Sequence, residues 1–361
     1  MDDLMTACST VKDIQKAIKI LNDNDNVRYK NGNGYPSIKL ETYKRLDGSE
    51  EIIIKEVGDG SIIKLFDKTP YPISNDDVVC PHFMELKWAN GCNFDCAWCY
   101  LNGTFRFRPI GKKPYKKDID KIVKHLNGYF SYKNDLSVHF PRLSYPTLFN
   151  SGELADSLVF EGNGSALSNS IIPLFLKQDL HKLLILTKST KIKGILASNS
   201  QNCVIVSFSI NSEEVAKRWE KKSPHPVKRI EAAVKLSNLG YETRIRLDPI
   251  VPITNWKHEY KWIIDKTFEN LVPERITLGS LRGLQSTINF SKDTSWTEYL
   301  DGRSNWGRKV SFDKRYEIYN YLINYLENEY GFFEIGLCKE TVSMWEKLGM
   351  DYRKIKCNCI L

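Results

Sequence analysis

No apolar run in this 361-residue sequence approaches bilayer-spanning length; the best stretch, Leu183 to Leu186, has the size of a buried strand. The opening segment MDDLMTACSTVKD is acidic and has no apolar signal core. The cytoplasm is therefore the expected location, and no membrane partner is expected. There is no internal repeat of fixed period and no low-complexity tract. Charge of one sign is not concentrated: Lys+Arg minus Asp+Glu is 52 − 44 = +8, spread along the chain. The only dense basic stretch, Arg106, Arg108, Lys112, Lys113, Lys116 and Lys117, reads as a solvated face. Such a balance fits an anionic substrate but is equally common in soluble enzymes. What is present is enough apolar material for a core, 42% hydrophobic and 12% aromatic, which excludes wholesale disorder.

The nine cysteines are unevenly placed. In a reducing cytosol, clustered cysteines point to metal rather than to disulfides. Cys8, Cys80 and Cys203 stand apart, Cys92, Cys96 and Cys99 form one tight group, and Cys338, Cys357 and Cys359 gather near the C-terminus.

Residues 1–80 read as a small α+β extension. Helical spacing covers Asp13 to Leu21, short strands cover Ser37–Leu40, Glu51–Lys55 and Ile62–Leu65, and a linker-like KTPYPISNDD follows. From residue 83 to the C-terminus, strands and helices alternate. The expected strands are Phe83–Lys87, Thr147–Asn150, Leu183–Thr187, Val204–Ile210, Thr243–Asp248 and Arg275–Gly279, with a seventh at Phe332–Leu337. The expected helices are Asp118–Tyr129, Leu167–Gln178, Lys191–Ser198, Glu213–Glu220, Pro226–Leu239 and Lys257–Asn270. Ser212 is a candidate N-cap and Gly240 a helix stop. This alternation specifies an α/β fold with a parallel sheet, and the six or seven units fit a partial (β/α)6 TIM-type barrel spanning 81–361, with its chemistry at the C-terminal ends of the strands.

Directly after the first barrel strand stands Cys92-Asn-Phe-Asp-Cys96-Ala-Trp-Cys99. Three thiolates within eight residues can wrap one metal centre. A structural zinc site wants four protein ligands, and no second CxxC knuckle exists here. A [4Fe–4S] cluster held by three cysteines keeps one iron open to a small molecule. This CxxxCxxC, with Trp98 before the last cysteine, resembles the cluster loop of radical S-adenosylmethionine (SAM) enzymes. The resemblance implies a [4Fe–4S] cluster and SAM as cofactors, an external electron donor of flavodoxin or ferredoxin type, and a 5′-deoxyadenosyl radical that abstracts hydrogen from substrate. Ser151-Gly152-Glu153, ending the second strand, stands where that family binds the amine of SAM. The segments SGELADSL, LLILTKST, FSINSEEV and SPHPVKRIEAAVKLSNLGY, over residues 83 to about 280, resemble the spore photoproduct lyase branch. On that resemblance Lys188 and Ser209, a point charge and a hydroxyl, become SAM contacts.

The sequence departs from the lyase pattern in two places. The branch uses a cysteine just before the Ser-Gly-Glu position as hydrogen donor; here that place reads Leu148-Phe149-Asn150, and no cysteine lies between Cys99 and Cys203. The branch also has two tyrosines flanking the last cluster cysteine, where this chain has Trp98 and Tyr100. Different chemistry is therefore expected, on a small-molecule nucleobase. The substrate candidates are Tyr100, His139, Asn150, Arg246 and Asp248, the last two equally readable as a barrel ion pair. Queuine lyase, which releases a 7-deazaguanine base by C–N cleavage, fits this description. The alternatives are a DNA- or RNA-acting repair or modification enzyme of the same branch, and a non-catalytic iron–sulfur or zinc module. The C-terminal cysteines, perhaps with Cys80, raise a second cluster as an alternative to thiols packed on the barrel.

Overall fold

The computed structural model describes residues 5–7, 19, 26–30, 32, 34–66, 68–162 and 167–361. Cys8 and, apart from Lys19, the helix expected over 13–21 lie outside the described residues. The N-terminal strands are β1 (Met5–Ala7), β2 (Asn26–Lys30), β3 (Ile38–Lys44), β4 (Glu50–Val57) and β5 (Ile63–Phe66). After them come β6 (Phe83–Leu86), α1 (Ile119–Ser137), β7 (Leu148–Asn150), β8 (Lys182–Thr187) and β9 (Val204–Ile210). Helices α2 (Glu213–Trp219) and α3 (Pro226–Ser237) lead to β10 (Glu242–Ile250). The remainder is α4 (Trp256–Phe268), β11 (Ile276–Ser280), α5 (Phe312–Tyr330) and β12 (Ile335–Leu337).

All twelve strands form one sheet in sequence order. From β6 to β12 every neighbouring pair is parallel, as the strand–helix alternation requires. Strand β5 lies antiparallel on β6, from Ile63 opposite Leu86 to Phe66 opposite Phe83, so the N-terminal strands continue the barrel sheet. The partial TIM-type barrel is thus the core, with the N-terminal strands attached to its first strand. Every residue of β9 is buried, the signature of a strand covered on both faces. Local chemistry sets the helix starts. The Ser212 hydroxyl accepts from the Val215 N–H at 3.3 Å, the Asp118 carboxylate accepts from the Asp120 N–H at 2.9 Å, and Pro226 opens α3 with its φ preset.

Three elements differ from the sequence reading. The helix expected over Leu167–Gln178 is two short pieces, Leu167–Ser170 and Ile172–Phe175, because Pro173 has no N–H with which to continue the first. Helix α1 runs past Tyr129 to Ser137, since buried Tyr132 and Leu136 extend its apolar stripe. Helix α5, with Ile318, Tyr319, Leu322 and Leu326 buried, was not anticipated. Among the described residues no helix is long and apolar enough to cross a membrane.

A buried histidine fixes the entry to β7. The Thr147 N–H donates to His181 Nδ1 at 3.2 Å, and the ring stacks on Phe130 at 5.2 Å. Burial holds the imidazole at about 3, against 6.5 in the open. The neutral ring is the folded form. Its contribution is therefore complete above pH 6.5, the unfolded value, and is lost as pH falls toward 3. Roughly 2 kcal/mol should be gone by pH 5, read as a lower denaturant midpoint at pH 5 than at pH 7. Equal midpoints would contradict this assignment.

Candidate active site

The cysteine loop leaves β6 and is pinned from both sides. Gly91 has φ +89°, and a Cβ there would overlap the Lys112 and Lys113 carbonyls, so only glycine fits the approach. The Gly91 N–H donates to the Leu154 carbonyl (2.8 Å) and the Cys92 N–H to the Lys112 carbonyl (2.9 Å). Asp95–Cys96 pairs antiparallel with Glu220–Lys221, and the Ala97 N–H donates to the Trp219 carbonyl at 2.8 Å. The Phe94 N–H points at Cys92 Sγ, 3.4 Å away, a donor suited to a coordinated thiolate.

Cys92, Cys96 and Cys99 open onto a cavity of about 410 Å³ lined by the C-terminal ends of the barrel strands. Burial pushes the Cys96 thiol up to about 12, and buried thiolates of this kind require a cationic centre. Among the described residues no three thiol, imidazole or carboxylate groups gather closely enough for a single metal ion. A tetrahedral zinc would need sulfurs ~4 Å apart. Three thiols of one loop opening onto one cavity fit a cluster that keeps one iron open.

Trp98, Tyr100, Gly152, Glu153, Lys188, Ser209, Arg246 and Asp248 all line this cavity. Gly152 is required where it stands: a Cβ would come within 2.6 Å of Leu186 Cβ and 2.8 Å of the Leu186 carbonyl. Ser151 lies behind the wall, fully buried, donating from its hydroxyl to the Leu184 carbonyl at 2.8 Å. Asn150 is buried beneath the same loop, its Oδ1 accepting from the Gly152 N–H at 2.9 Å. His139 is half-buried in the turn after α1 and is not among the lining residues.

Lys188 does not project freely into the cavity. Its Nζ lies 3.0 Å from Glu220, whose other oxygen is 2.7 Å from Arg229, while the Arg229 guanidinium also donates to the Ser209 carbonyl at 3.0 Å. Burial alone would raise the Glu220 carboxyl, but Lys188 and Arg229 outweigh it and hold it at about 2. Two cations share one carboxylate, leaving one positive charge for an anion at the wall. On the far side Asp248 accepts from Arg246 at 2.9 Å and from Arg282 at 2.8 Å. Burial favours its neutral form, and the Arg282 and Arg246 guanidinium groups overcome that and keep it ionised. Arg246 and Asp248 therefore pair with each other while facing the cavity.

Sequence reasoning missed Asp156, Arg282, Lys339 and Trp306, all lining residues. Lys339 Nζ sits 3.9 Å above the Trp306 ring and 4.6 Å above that of Phe66. Asp156 stands within SGELADSL; the other three have no motif, and folding alone assembles them. Lys68, Lys188, Arg246, Arg282 and Lys339 face Glu153, Asp156 and Asp248, so the lining carries 5 − 3 = +2.

Cys80, Cys338, Cys357 and Cys359 line the same cavity as the cluster loop. Arg246 donates to Cys338 Sγ at 2.7 Å and to Cys359 Sγ at 3.5 Å, and the Asn150 amide lies 3.9 Å from Cys359 Sγ. The position that reads Asn150, without a thiol, thus has one brought beside it from more than 200 residues away. Cys203 is buried, its Sγ facing the Ser200 carbonyl at 3.7 Å, and does not line the cavity.

A parallel partial barrel, a three-thiol loop after its first strand and a Gly-Glu after its second define a radical SAM core. The family model for spore photoproduct lyase matches residues 83–281, more than half of the chain. A spore photoproduct lyase of Clostridium acetobutylicum is 30% identical over 190 residues, 52% of each chain. One of Bacillus subtilis is 27% identical over 236 residues, 62% of this chain and 65% of that one. The chain is thus matched over about half to two thirds of the length of these relatives. A solved spore photoproduct lyase double mutant with bound AdoMet and dinucleoside spore photoproduct superposes with a TM-score of 0.56 at 18% identity, covering 75% of this chain and 78% of that one. The chain belongs to the spore photoproduct lyase family. The family's cofactors are a [4Fe–4S] cluster and SAM, and the loop thiols and the Gly152–Glu153 wall fit both.

Proposed function

We propose that this protein reductively cleaves SAM and uses the adenosyl radical to abstract hydrogen from a damaged dinucleotide unit of DNA. One observation carries the reading: the cluster loop, the Gly152–Glu153 wall and a net-positive floor share a single cavity. When bound, the cluster and SAM supply the radical. The protein's own residues hold and shield. Cys92, Cys96 and Cys99 would ligate three irons, Glu153 would accept from the SAM amine, and Lys188 with Ser209 would face its carboxylate. Arg246, Arg282 and Lys339 would receive an anionic substrate, and Trp306 and Phe66 offer faces for a base. An external donor of flavodoxin or ferredoxin type would deliver the electron. Phe66, Lys68, Val79 and Cys80 supply part of the lining, in keeping with residues 1–80 as a cover for a barrel at 81–361 in the cytoplasm.

The free-base reading, queuine above all, finds no support among the relatives. The test gives iron-loaded, reduced protein SAM together with dinucleoside spore photoproduct, queuine or nothing. 5′-Deoxyadenosine should rise with the dinucleoside only. A rise with queuine alone would overturn the substrate assignment, and no 5′-deoxyadenosine under any condition would overturn the reaction class.

A further inference from the structure

The sequence Cys357-Asn358-Cys359 is built into the barrel by its middle residue. Asn358 is fully buried. Its amide nitrogen donates to the Ser207 hydroxyl (2.8 Å) and the Ile245 carbonyl (2.9 Å), and its oxygen accepts from Thr277 (2.8 Å). Three neighbouring strands, β9, β10 and β11, therefore grip one side chain. Flanking it, the two cysteines line the reaction cavity. Arg246 touches Cys359 from the barrel side. The pair is unbridged in this structure. The neighbouring Cys357 thiol and the Arg246 charge pull the Cys359 thiol down, while Cys357 is pushed up.

We propose that Cys357 and Cys359 form a redox-active dithiol that delivers a hydrogen atom to a carbon radical formed in the cavity. The proposal rests on the radical reaction argued above. The S–H bond of the pair breaks homolytically and its hydrogen forms a C–H bond on the substrate radical. The sulfur radical bonds to the neighbouring thiolate, giving a one-electron-reduced disulfide. That species passes one electron to an iron–sulfur cluster or an external one-electron acceptor. One thiol and one thiolate thus become a disulfide, having supplied one hydrogen atom and one electron. Each turnover oxidises the pair, so continued activity needs a dithiol reductant.

Anaerobic holoenzyme is run for a single turnover in D2O with SAM and dinucleoside spore photoproduct, then acid-quenched. Product deuterium and the Cys357–Cys359 disulfide, read by peptide mass spectrometry, should both rise in step with 5′-deoxyadenosine. In Cys359→Ala and in Cys357→Ala, product deuterium per 5′-deoxyadenosine should fall about tenfold or more. Turnover without the disulfide, or an unchanged ratio in both variants, overturns the proposal. A second measurement needs no turnover: equilibration of the holoenzyme in glutathione buffers should convert the pair to an intramolecular disulfide. If it does not form, or if the wild type holds about eight irons per chain with both thiols shielded from alkylation, the pair is not a free dithiol and the proposal fails. Absence of 5′-deoxyadenosine with a normal glutathione titration instead sinks only the radical-SAM reading.

Discussion

Cys96→Ala should leave a folded protein that holds little iron and forms 5′-deoxyadenosine more than about 100-fold more slowly, since loss of partners merely supporting a metal ligand already costs 10–100-fold. Cys96 is the buried member of the loop triad, and its backbone pairs with Glu220. Alanine keeps that backbone pairing and removes only the sulfur. The circular dichroism spectrum should therefore match wild type while iron per chain and the cluster's visible absorbance fall together. Retention of wild-type iron by this variant would remove the three-thiol loop from the site. The same measurement on Cys203→Ala, whose sulfur lies away from the cavity, should show iron unchanged.

Glu220→Ala should be the most destabilising single change near the site, by about 3–5 kcal/mol. The carboxylate has no solvent exposure, nor has Arg229, and Lys188 has little. Removing it strands two buried cations. Burial disfavours the charged Lys188, and the Glu220 carboxylate more than offsets this, raising its pKa. Because the folded Glu220 value of about 2 lies below the unfolded carboxylate range, this stabilisation is present above about pH 4.5 and fades only as pH falls toward 2. Denaturant unfolding at pH 7 should therefore show the full loss, and Glu220→Gln, which keeps the shape without the charge, should fall between alanine and wild type. An alanine variant within about 1 kcal/mol of wild type would mean that water replaces the carboxylate.

The core of the site was legible where chemistry is local. Val204–Ile210 was read with its observed ends, a short run rich in β-branched and aromatic residues. The cluster loop was legible because three ligands within eight residues constitute a signal by themselves. What escaped depends on sequence distance. Arg282 meets Asp248 across 34 positions, and Cys359 meets Arg246 across 113. No spacing rule reaches that far, so a chain lacking a thiol at Asn150 read as lacking one altogether. Helix α5 was missed for another reason: its buried face is carried by tyrosine and arginine as well as aliphatics, with Arg315 and Tyr319 both bonded to buried Glu340. A pattern scored on aliphatic residues does not see that stripe.

The antiparallel junction of β5 with β6 has a consequence for how the protein behaves at high concentration. A partial barrel leaves its first strand with a row of unpaired N–H and carbonyl groups, and such a row is a template for a strand from another molecule. Here β5 occupies it, matched residue for residue from Ile63 to Phe66. The strand carrying the cluster loop therefore offers no free edge to a neighbour, and intermolecular strand addition, with the fibrous aggregation that follows from it, is blocked at the side of the barrel nearest the reactive thiols.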